Sequence, residues 1–422
     1  MSIGDAPEKR ARQTCIGTRS HALSRLREFA PDISRYSAVR NYARPGNVGV
    51  SQLSPYLRHR LISEEEVITA ATSNDTFDVN EKFIQEVVWR TYWKGALHRA
   101  PGLWSSYEER LNHLSRAEPS ETWASLYEAA CAGNTHLSYF NEWIRELTAT
   151  GYLHNHVRMW FASIWIFTFK IPWQLGAALM YHHLLDGDPA SNTLSWRWVA
   201  GLHTKGKTYL ARADNITKYS DGRWNPKESE LAAAPFHIED EVLGRPEEPL
   251  VLSQLRHSTP AGLILTTDDL SIEKVLDMTR YKSVCIYDPQ ASEQSLLKGV
   301  FLRQATQDFQ ARLTAVRSDI PISVATSLTN LANWHETNDI DTVEILAPNI
   351  GPFSEPLRNL IASLSQTRVS VGLLQRSWDT MLYPLCDKGF FTLWERFKKR
   401  WEQNEDLRGV VRTMNAPLCN GM

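Results

Sequence analysis

The spacing of apolar residues changes once along the chain, and this change restricts the folds available to it. From about Ser20 to Ala200, apolar residues recur every three or four positions, which predicts helices. Five short β-rich runs follow, apolar on both faces and separated by helix-like stretches, which is typical of parallel strands with helical crossovers. The predicted fold class is α + α/β: an all-helical domain followed by a five-stranded parallel-sheet (Rossmann-like) domain. The predicted strands are 262–267, 283–288, 322–327, 342–347 and 369–374.

A polar segment after Pro226 separates the two patterns. It contains prolines and few large apolar residues, which favours a linker. The α/β part contains neither GxGxxG nor GxxxxGK[ST], so no phosphate-binding loop identifies a ligand there. We expect a helical domain over residues 1–226, a linker over 227–255, the α/β domain over 256–400 and a C-terminal tail over 401–422.

Composition and charge narrow the class of protein. The five cysteines are scattered without a CxxC pair, so no metal site is predicted. No signal peptide is evident, and the apolar run 160–173 contains Lys170 and is shorter than the roughly 20 residues of a membrane span. Residues 1–230 hold 27 basic against 24 acidic side chains, which permits an anionic partner without requiring one. We expect a soluble, cytoplasmic monomer that does not bind membranes.

Two motifs in the first half combine polar groups with a helix. Ser51 and Ser54 precede or flank Pro55 where a helix begins, so they either cap that helix or help to bind a phosphate. Glu86, Trp89 and Arg90 share one helix face at spacings of three and four. That face is either a surface Glu86–Arg90 pair over packed indoles or a cavity wall that stacks a planar ring.

A third cluster surrounds TGYLHNHVRMW, residues 150–160. Asn155, Arg158 and Met159 share a helix face, and the later segment LLDGDPASNTLSWRW adds Asp186 and Asp188 in a loop. An Asp-Gly-Asp sequence without further clustered acids is weak evidence for a metal. Arg158 would neutralise one aspartate, and the remaining polar groups could hydrogen-bond a heterocycle.

These segments, in this order, resemble the flavin-binding helical domain of the DNA photolyase and cryptochrome family over roughly residues 20–200. The resemblance implies an FAD folded into a U shape within the helices. Asn155 and Arg158 would line the isoalloxazine ring, with Arg158 paired to Asp186. Asp188 would meet the ring's polar edge and Asn192 would face flavin N5. The phosphates would be held by Tyr36, Ser51, Gln52, Leu53, Ser54 and Arg90.

The resemblance also implies a substrate wall and an electron path. Trp196 and Trp173 match the first two members of the tryptophan chain that photoreduces FAD, and Trp123 is the nearest candidate for the third. In the 202–223 loop, Lys205, Lys207 and Arg212 either meet DNA phosphates or belong to a solvated loop. The residues matching the pocket for a flipped-out pyrimidine dimer are Glu86, Trp89, Asn155, Met159 and Trp198, with Arg40 as a further substrate-binding residue.

The order of the domains differs from that of the family, which places the α/β domain first. GLILTTDDLSIEKV resembles that domain's first strand, and SWDTMLYPLCDKGFFTLWERFKKRW resembles its closing segment, so the chain is expected to be circularly permuted. The alternative is an unrelated flavodoxin-like domain. His156, Tyr152 and Val50 depart from the family's usual Arg, Trp and Thr, and the 202–223 loop replaces its usual segment.

The sequence therefore predicts an enzyme of the deoxyribodipyrimidine photo-lyase type, which uses FAD and light to repair cyclobutane pyrimidine dimers in UV-damaged DNA. An antenna chromophore of unspecified identity is allowed in the α/β domain. The alternative is a cryptochrome-like blue-light photoreceptor with a photoreducible FAD and a signalling partner. Repair of (6-4) lesions is disfavoured because that branch usually has His at the positions of Asn155 and Met159.

Overall fold

The computed structural model describes residues 16–73, 76–116, 122–204, 207–239, 260–366 and 368–403. They belong to two compact units. The sheet unit comprises residues up to 31, residues 53–99 and those from 248 onward, and the helical unit comprises residues 32–52 and 100–247. Residues 53–99, which the sequence assigns to the helical domain, thus pack within the sheet unit. The predicted domain boundaries themselves stay a prediction.

Helices dominate the first half of the described chain and alternate with strands in the second, as the change in apolar spacing predicts. In chain order they are α1 (Arg19–Phe29), α2 (Tyr36–Val39), α3 (Ser54–Arg58), α4 (Glu64–Ser73), α5 (Phe77–Arg99), α6 (Gly102–Leu114), α7 (Ala124–Ala132), α8 (Ser138–Thr150), α9 (Asn155–Ser163), α10 (Trp173–His183), α11 (Pro189–Val199), α12 (Ala213–Tyr219), α13 (Leu296–Val316), α14 (Leu328–Thr337), α15 (Ser354–Leu364), α16 (Ser377–Leu382) and α17 (Phe390–Gln403).

Five strands of the described chain form one sheet in the sheet unit, with the order β3-β2-β1-β4-β5. Every neighbouring pair is parallel, so the predicted fold class is confirmed. All six residues of the central strand are buried, as expected when helices cover both faces. The strands, each within two residues of its predicted bounds, are β1 (Ala261–Thr266), β2 (Tyr281–Tyr287), β3 (Ile322–Ala325), β4 (Thr342–Leu346) and β5 (Ser370–Leu374).

One tryptophan fastens α14 to the middle of the sheet. Trp334 is buried, and its indole Nε1 donates to Ser283 Oγ on β2 at 2.9 Å. A Cβ atom at Gly262 on β1 would lie 2.6 Å from the Trp334 ring, so only glycine leaves room for it. Gly262 on the strand and Trp334 on the helix thus set the distance between β1 and α14.

The crevice at the carboxyl ends of β1 and β4 is where the strand order reverses, and open α/β sheets usually bind ligands there. Here it is filled by charged side chains of the chain itself. The remaining cavity is about 10 Å³, room for one water molecule at most. The ion pairs that fill it are Arg376–Asp269, Arg58–Asp268 and Arg60–Asp379, with N···O distances of 2.5, 2.6 and 2.6 Å.

The closing helix α17 lays an aromatic face on α5. Trp394 stacks on Phe77, with ring centroids 5.8 Å apart, and its Nε1 donates to Glu81 at 2.9 Å. Trp401, the first residue of the predicted tail, is still in this helix and also contacts Phe77. The rest of the predicted tail from 404 onward and the linker from 240 lie outside the described residues.

The helical unit is built on large aromatic side chains. Trp143, Trp160 and Trp165 are completely buried, as are Phe140 and Phe161. Rings of this size dominate core energetics, which accounts for part of the chain's high tryptophan content. In the described part of the chain, no helix combines the length and apolar character that crossing a bilayer requires.

We expect Asp269→Ala to lower the free energy of unfolding by about 3–5 kcal/mol, the usual cost of leaving one member of a buried ion pair without its partner. Asp269 accepts hydrogen bonds from Nε and Nη2 of Arg376 and is 3% exposed. Urea unfolding followed by tryptophan fluorescence measures the change. Asp319→Ala is the control, because Asp319 pairs with Arg317 at the surface. Equal losses in the two variants would contradict the importance of the buried network.

Candidate functional site

The helical unit positions the TGYLHNHVRMW cluster with a sharp turn between two helices. Helix α8 ends at Gly151, whose positive φ of 66° suits glycine. His154 then caps α9, its Nδ1 accepting the His156 backbone N–H at 3.2 Å. Burial and the neighbouring His156 and Arg158 lower the pKa of His154 to about 4. The ring is therefore neutral near pH 7, as a hydrogen-bond acceptor must be.

Arg158 links the first turn of α9 to the loop before α11. Its Nε donates to the Leu153 carbonyl at 2.9 Å, and its Nη2 donates to Asp186 Oδ2 at 3.0 Å. The Asp186 side chain is 4% exposed, so removing its charge from water is offset by this partner. Tyr152 lies beside the guanidinium, with 5.5 Å between Arg158 Cζ and the ring centroid. The pair is therefore a partly buried, well-oriented link.

Asp188 and Asn192 are held by backbone groups. Asp188 caps α11, its Oδ1 accepting the Ser191 N–H at 2.7 Å, and is 1% exposed. Asn192 donates through Nδ2 to the Ala177 carbonyl on α10 at 2.8 Å. The sequence analysis missed the capping role of Asp188, although an aspartate directly before Pro189 is a recognised helix-start signal. Their roles toward a flavin stay predictions.

The face of α9 that bears Asn155 and Met159 is accessible. Asn155 is exposed and Met159, one turn further along, is half-buried. Trp198 on α11 stacks on Tyr209 with ring centroids 5.6 Å apart, so part of its surface is covered. Lys207 is exposed, and Lys205 lies outside the described residues.

The tryptophans assigned to electron transfer are buried in the same unit. Trp196 is 2% exposed and Trp173 6% exposed. Among the described residues, the rings in contact with Trp196 are Phe161 and Trp165, and the ring in contact with Trp173 is Tyr107. Each of these two tryptophans, predicted to be neighbours in the electron path, thus contacts other aromatic rings and not its predicted neighbour.

The segment of residues 32–52 supplies the unit's remaining predicted residues. Tyr36 begins α2, and Arg40 directly follows that helix. Gln52 has a positive φ of 54° and donates through Nε2 to the Gly46 carbonyl at 3.2 Å. Ser51, beside it, is half-buried. A positive φ at a residue other than glycine, as at Gln52, is backbone strain of the kind that accompanies functional loops.

A pocket that the sequence analysis did not find opens next to this segment. Its volume is about 380 Å³, and it is lined by residues 43–47, by α8 and by the start of α9. Its floor includes Trp224, whose Nε1 donates to Glu142 at 3.0 Å, and Arg223 pairs with the same carboxylate at 3.2 Å. Arg223, one of the basic groups that line the pocket, is therefore already engaged with an acidic one.

The other predicted cofactor residues belong to the sheet unit. Leu53 precedes α3 without a side-chain cap, so Ser54 begins the helix instead of capping it. Arg90 on α5 has two guanidinium nitrogens, Nε and Nη2, that are buried and lack a hydrogen-bond partner among the described residues. Such donors are costly unless an acceptor satisfies them. Arg90 thus fits the predicted role of binding an anionic group such as a phosphate.

The predicted substrate residues of α5 have partners of their own. Glu86 pairs with Lys82 one turn earlier, at 3.4 Å. Trp89 stacks face to face on Phe390, with ring centroids 3.7 Å apart and planes 8° apart. In this structure a base could reach that face of Trp89 only if Phe390 moved. No sequence signal indicated this stack, because the two residues lie far apart in the chain.

The helical part of the chain is similar to known flavin-binding domains. Residues 83–227 match the family model for the FAD binding domain of DNA photolyase. Over these residues, the chain belongs to the photolyase/cryptochrome family. The parallel α/β sheet follows this domain, which is consistent with the permuted order that the sequence predicts.

The relatives match only part of the chain. The deoxyribodipyrimidine photo-lyase of Streptomyces griseus is 30% identical over 201 residues, 44% of this chain and 41% of that protein. The photo-lyase of Synechococcus sp. is 30% identical over 221 residues, 49% of this chain and 45% of that protein. The chain thus spans less than half the length of these relatives. A solved class III photolyase from Agrobacterium tumefaciens is 24% identical, with a TM-score of 0.44. The match covers 53% of this chain and 46% of that protein's chain.

We expect Asp186→Ala to lower the free energy of unfolding by about 1–3 kcal/mol, since it leaves the Arg158 guanidinium without its carboxylate. The measurement is urea unfolding followed by tryptophan fluorescence. Asp214→Ala is a matched control in the same unit, because Asp214 pairs with Arg212 at the surface. A loss in the control as large as that in Asp186→Ala would count against the structural role of the Arg158–Asp186 pair.

Proposed function

We propose that the protein binds FAD and uses light to repair cyclobutane pyrimidine dimers in DNA. The observation that carries the proposal is the Arg158–Asp186 pair, which lies within the matched FAD-binding domain and orients the start of α9. That domain also contains Asp188, Asn192 and Trp196 at the positions where the family resemblance assigns flavin contacts and electron transfer.

The chain's own groups would bind and orient the cofactor and the lesion. Arg158 would present a positive edge to the flavin ring, and its pairing with Asp186 would prevent that side chain from rotating away. Asn155 would use its exposed amide to hydrogen-bond the lesion, and Met159 would contact it on the same helix face. The chemistry that bound FAD supplies is light-driven electron transfer to the dimer.

The α/β part is less suited to an antenna chromophore at the usual ligand position of such a sheet. The three ion pairs at the carboxyl ends of β1 and β4 leave a cavity of about 10 Å³. A chromophore there would have to displace buried arginines from their carboxylates, which is energetically costly. We therefore propose that light is absorbed by the flavin itself.

One observation favours the second candidate, a blue-light photoreceptor with a photoreducible FAD. One face of Trp89 is covered by Phe390, with ring centroids 3.7 Å apart, so a dimer could stack on that face only if Phe390 moved. A photoreceptor has no need of that face. The decisive experiment is illumination of the chemically reduced, FAD-bound protein with an oligonucleotide that carries one thymine dimer. Restored thymines support repair, and an unchanged dimer under conditions in which FAD is still photoreduced supports the photoreceptor.

We expect Trp196→Phe to abolish or sharply slow photoreduction of bound FAD, because phenylalanine is not readily oxidised. The FAD content should be unchanged, since the ring volume is largely kept. Absorbance of oxidised flavin under blue light measures the first quantity, and flavin released on denaturation measures the second. Photoreduction at the rate of the unsubstituted protein would remove Trp196 from the electron path.

We expect Glu86→Ala to lower the yield of dimer repair much more than the FAD content, because the resemblance assigns this carboxylate to the substrate. Lys82→Ala is the matched control: it breaks the same ion pair but leaves the Glu86 carboxylate in place. Repaired thymines per absorbed photon and bound FAD are measured for both variants. Parallel losses of repair and FAD in Glu86→Ala would assign Glu86 to the cofactor or to folding.

A further inference from the structure

A row of four aromatic side chains connects Trp196 with the half-buried Trp123 inside the helical unit. The ring centroids of Trp196 and Trp165 are 6.3 Å apart, those of Trp165 and Tyr127 5.9 Å, and those of Tyr127 and Trp123 6.1 Å. Each value lies within the roughly 4.5–7 Å of contacting aromatic pairs. Each pair meets edge to face. The row is continuous, with each ring in contact with the next.

Three local features hold Trp165 in this row. It lies in a π-helical turn, Ile164–Thr168, a rare element that often marks functional sites. Its Nε1 donates to the Pro172 carbonyl at 3.0 Å, which fixes the orientation of the ring. Gly176 on α10 leaves the space that Trp165 and Trp196 occupy, since a Cβ atom there would lie 2.9 Å from Trp165 Nε1 and 2.3 Å from Trp196 Cη2.

The row runs from the core toward solvent. Trp165 is completely buried and Trp196 is 2% exposed, whereas Tyr127 and Trp123 are both half-buried. Oxidisable side chains arranged in this order can carry an electron inward one contact at a time, because each transfer spans only a single ring contact.

Trp173 leads into a different group of rings. It stacks on Tyr107 with centroids 5.7 Å apart, and Tyr107 contacts Trp104 at 5.2 Å. Both Tyr107 and Trp104 are buried, and Trp104 in turn contacts the half-buried Tyr181. Among the described residues Trp196 has a ring contact with Trp165 and none with Trp173.

We propose that electrons reach Trp196 from the surface through Trp123, Tyr127 and Trp165, and that Trp173 is not required. This rests on the proposed function, which supplies light-excited oxidised flavin as the inner electron acceptor. One electron moves inward at each contact, so the net change along the row is the loss of one electron by Trp123. The indole proton of oxidised Trp123 passes to solvent, and a dissolved thiol returns an electron while solvent returns the proton.

Tyr127 acts as the ring between two indoles. Burial and the nearby Cys131 raise the pKa of its phenol to about 12, so it keeps its proton at neutral pH. The electron passes across the ring from Trp123 to Trp165, with no net gain or loss at the phenol. Trp165, Tyr127 and Trp123 are thus positioned as electron carriers by α7 and by the π-helical turn.

The test compares two matched variants of the FAD-loaded protein, Trp165→Phe and Trp173→Phe. Transient absorption after a blue-light flash measures the long-lived indole radical, and flavin released on denaturation measures FAD content. We expect Trp165→Phe to lose this radical while Trp173→Phe retains it, with FAD content unchanged in both. Trp123→Phe should also lose the radical, because it removes the outer end of the row.

The outcomes separate this inference from the proposed function. A loss in Trp173→Phe that equals or exceeds the loss in Trp165→Phe overturns the row through Trp165, while photoreduction itself still stands. Radical formation that Trp196→Phe leaves unchanged also overturns the row, because the row ends on Trp196. Protein that takes up no FAD contradicts the proposed function instead. A loss confined to the variants of Trp165, Trp123 and Trp196 supports the row.

Discussion

The Arg158–Asp186 pair is the interaction on which the candidate site depends. It joins the first turn of α9 to the loop before α11, and these two segments carry half of the flavin residues assigned within the helical unit, namely Asn155, Arg158, Asp186 and Asp188. Surface ion pairs contribute little, because water screens them. Here the Asp186 carboxylate is almost fully buried, so losing Arg158 would remove the cationic partner that offsets its desolvation. The pair therefore fixes a geometry as well as adding stability.

Buried ion pairs also occur in the sheet unit, where they close a crevice instead of positioning a candidate site. At the reversal of strand order, where such sheets usually keep an open crevice, arginines from α3, the following turn and the segment after β5 pair with Asp268, Asp269 and Asp379. These buried charges satisfy one another and leave no room for a ligand.

The spacing of apolar residues predicted the fold class correctly, because a strand buried on both faces requires an unbroken run of apolar residues. All five strands lie within two residues of their predicted bounds, and the parallel pairing follows from the helix-sized gaps between them. The pairing of Arg158 with Asp186 came from the resemblance to a family. It could not have come from periodicity, since the two residues lie on different elements.

Other features depend on contacts that one sequence does not encode locally. The Trp89–Phe390 stack joins residues about three hundred positions apart, and no motif marks either as the other's partner. The π-helical turn at Ile164–Thr168 lies inside an apolar run in which every register looks alike. The role of Trp165 emerges only when that turn, Pro172 and Gly176 are placed together.

The proposed cofactor site is tested most simply by the flavin content of the unsubstituted protein. The purified chain is incubated with excess FAD, freed of unbound ligand by gel filtration and denatured, and the released flavin is quantified by absorbance. We expect yellow protein with equimolar FAD that is reduced on illumination with a thiol. Colourless protein that takes up no flavin would contradict this expectation.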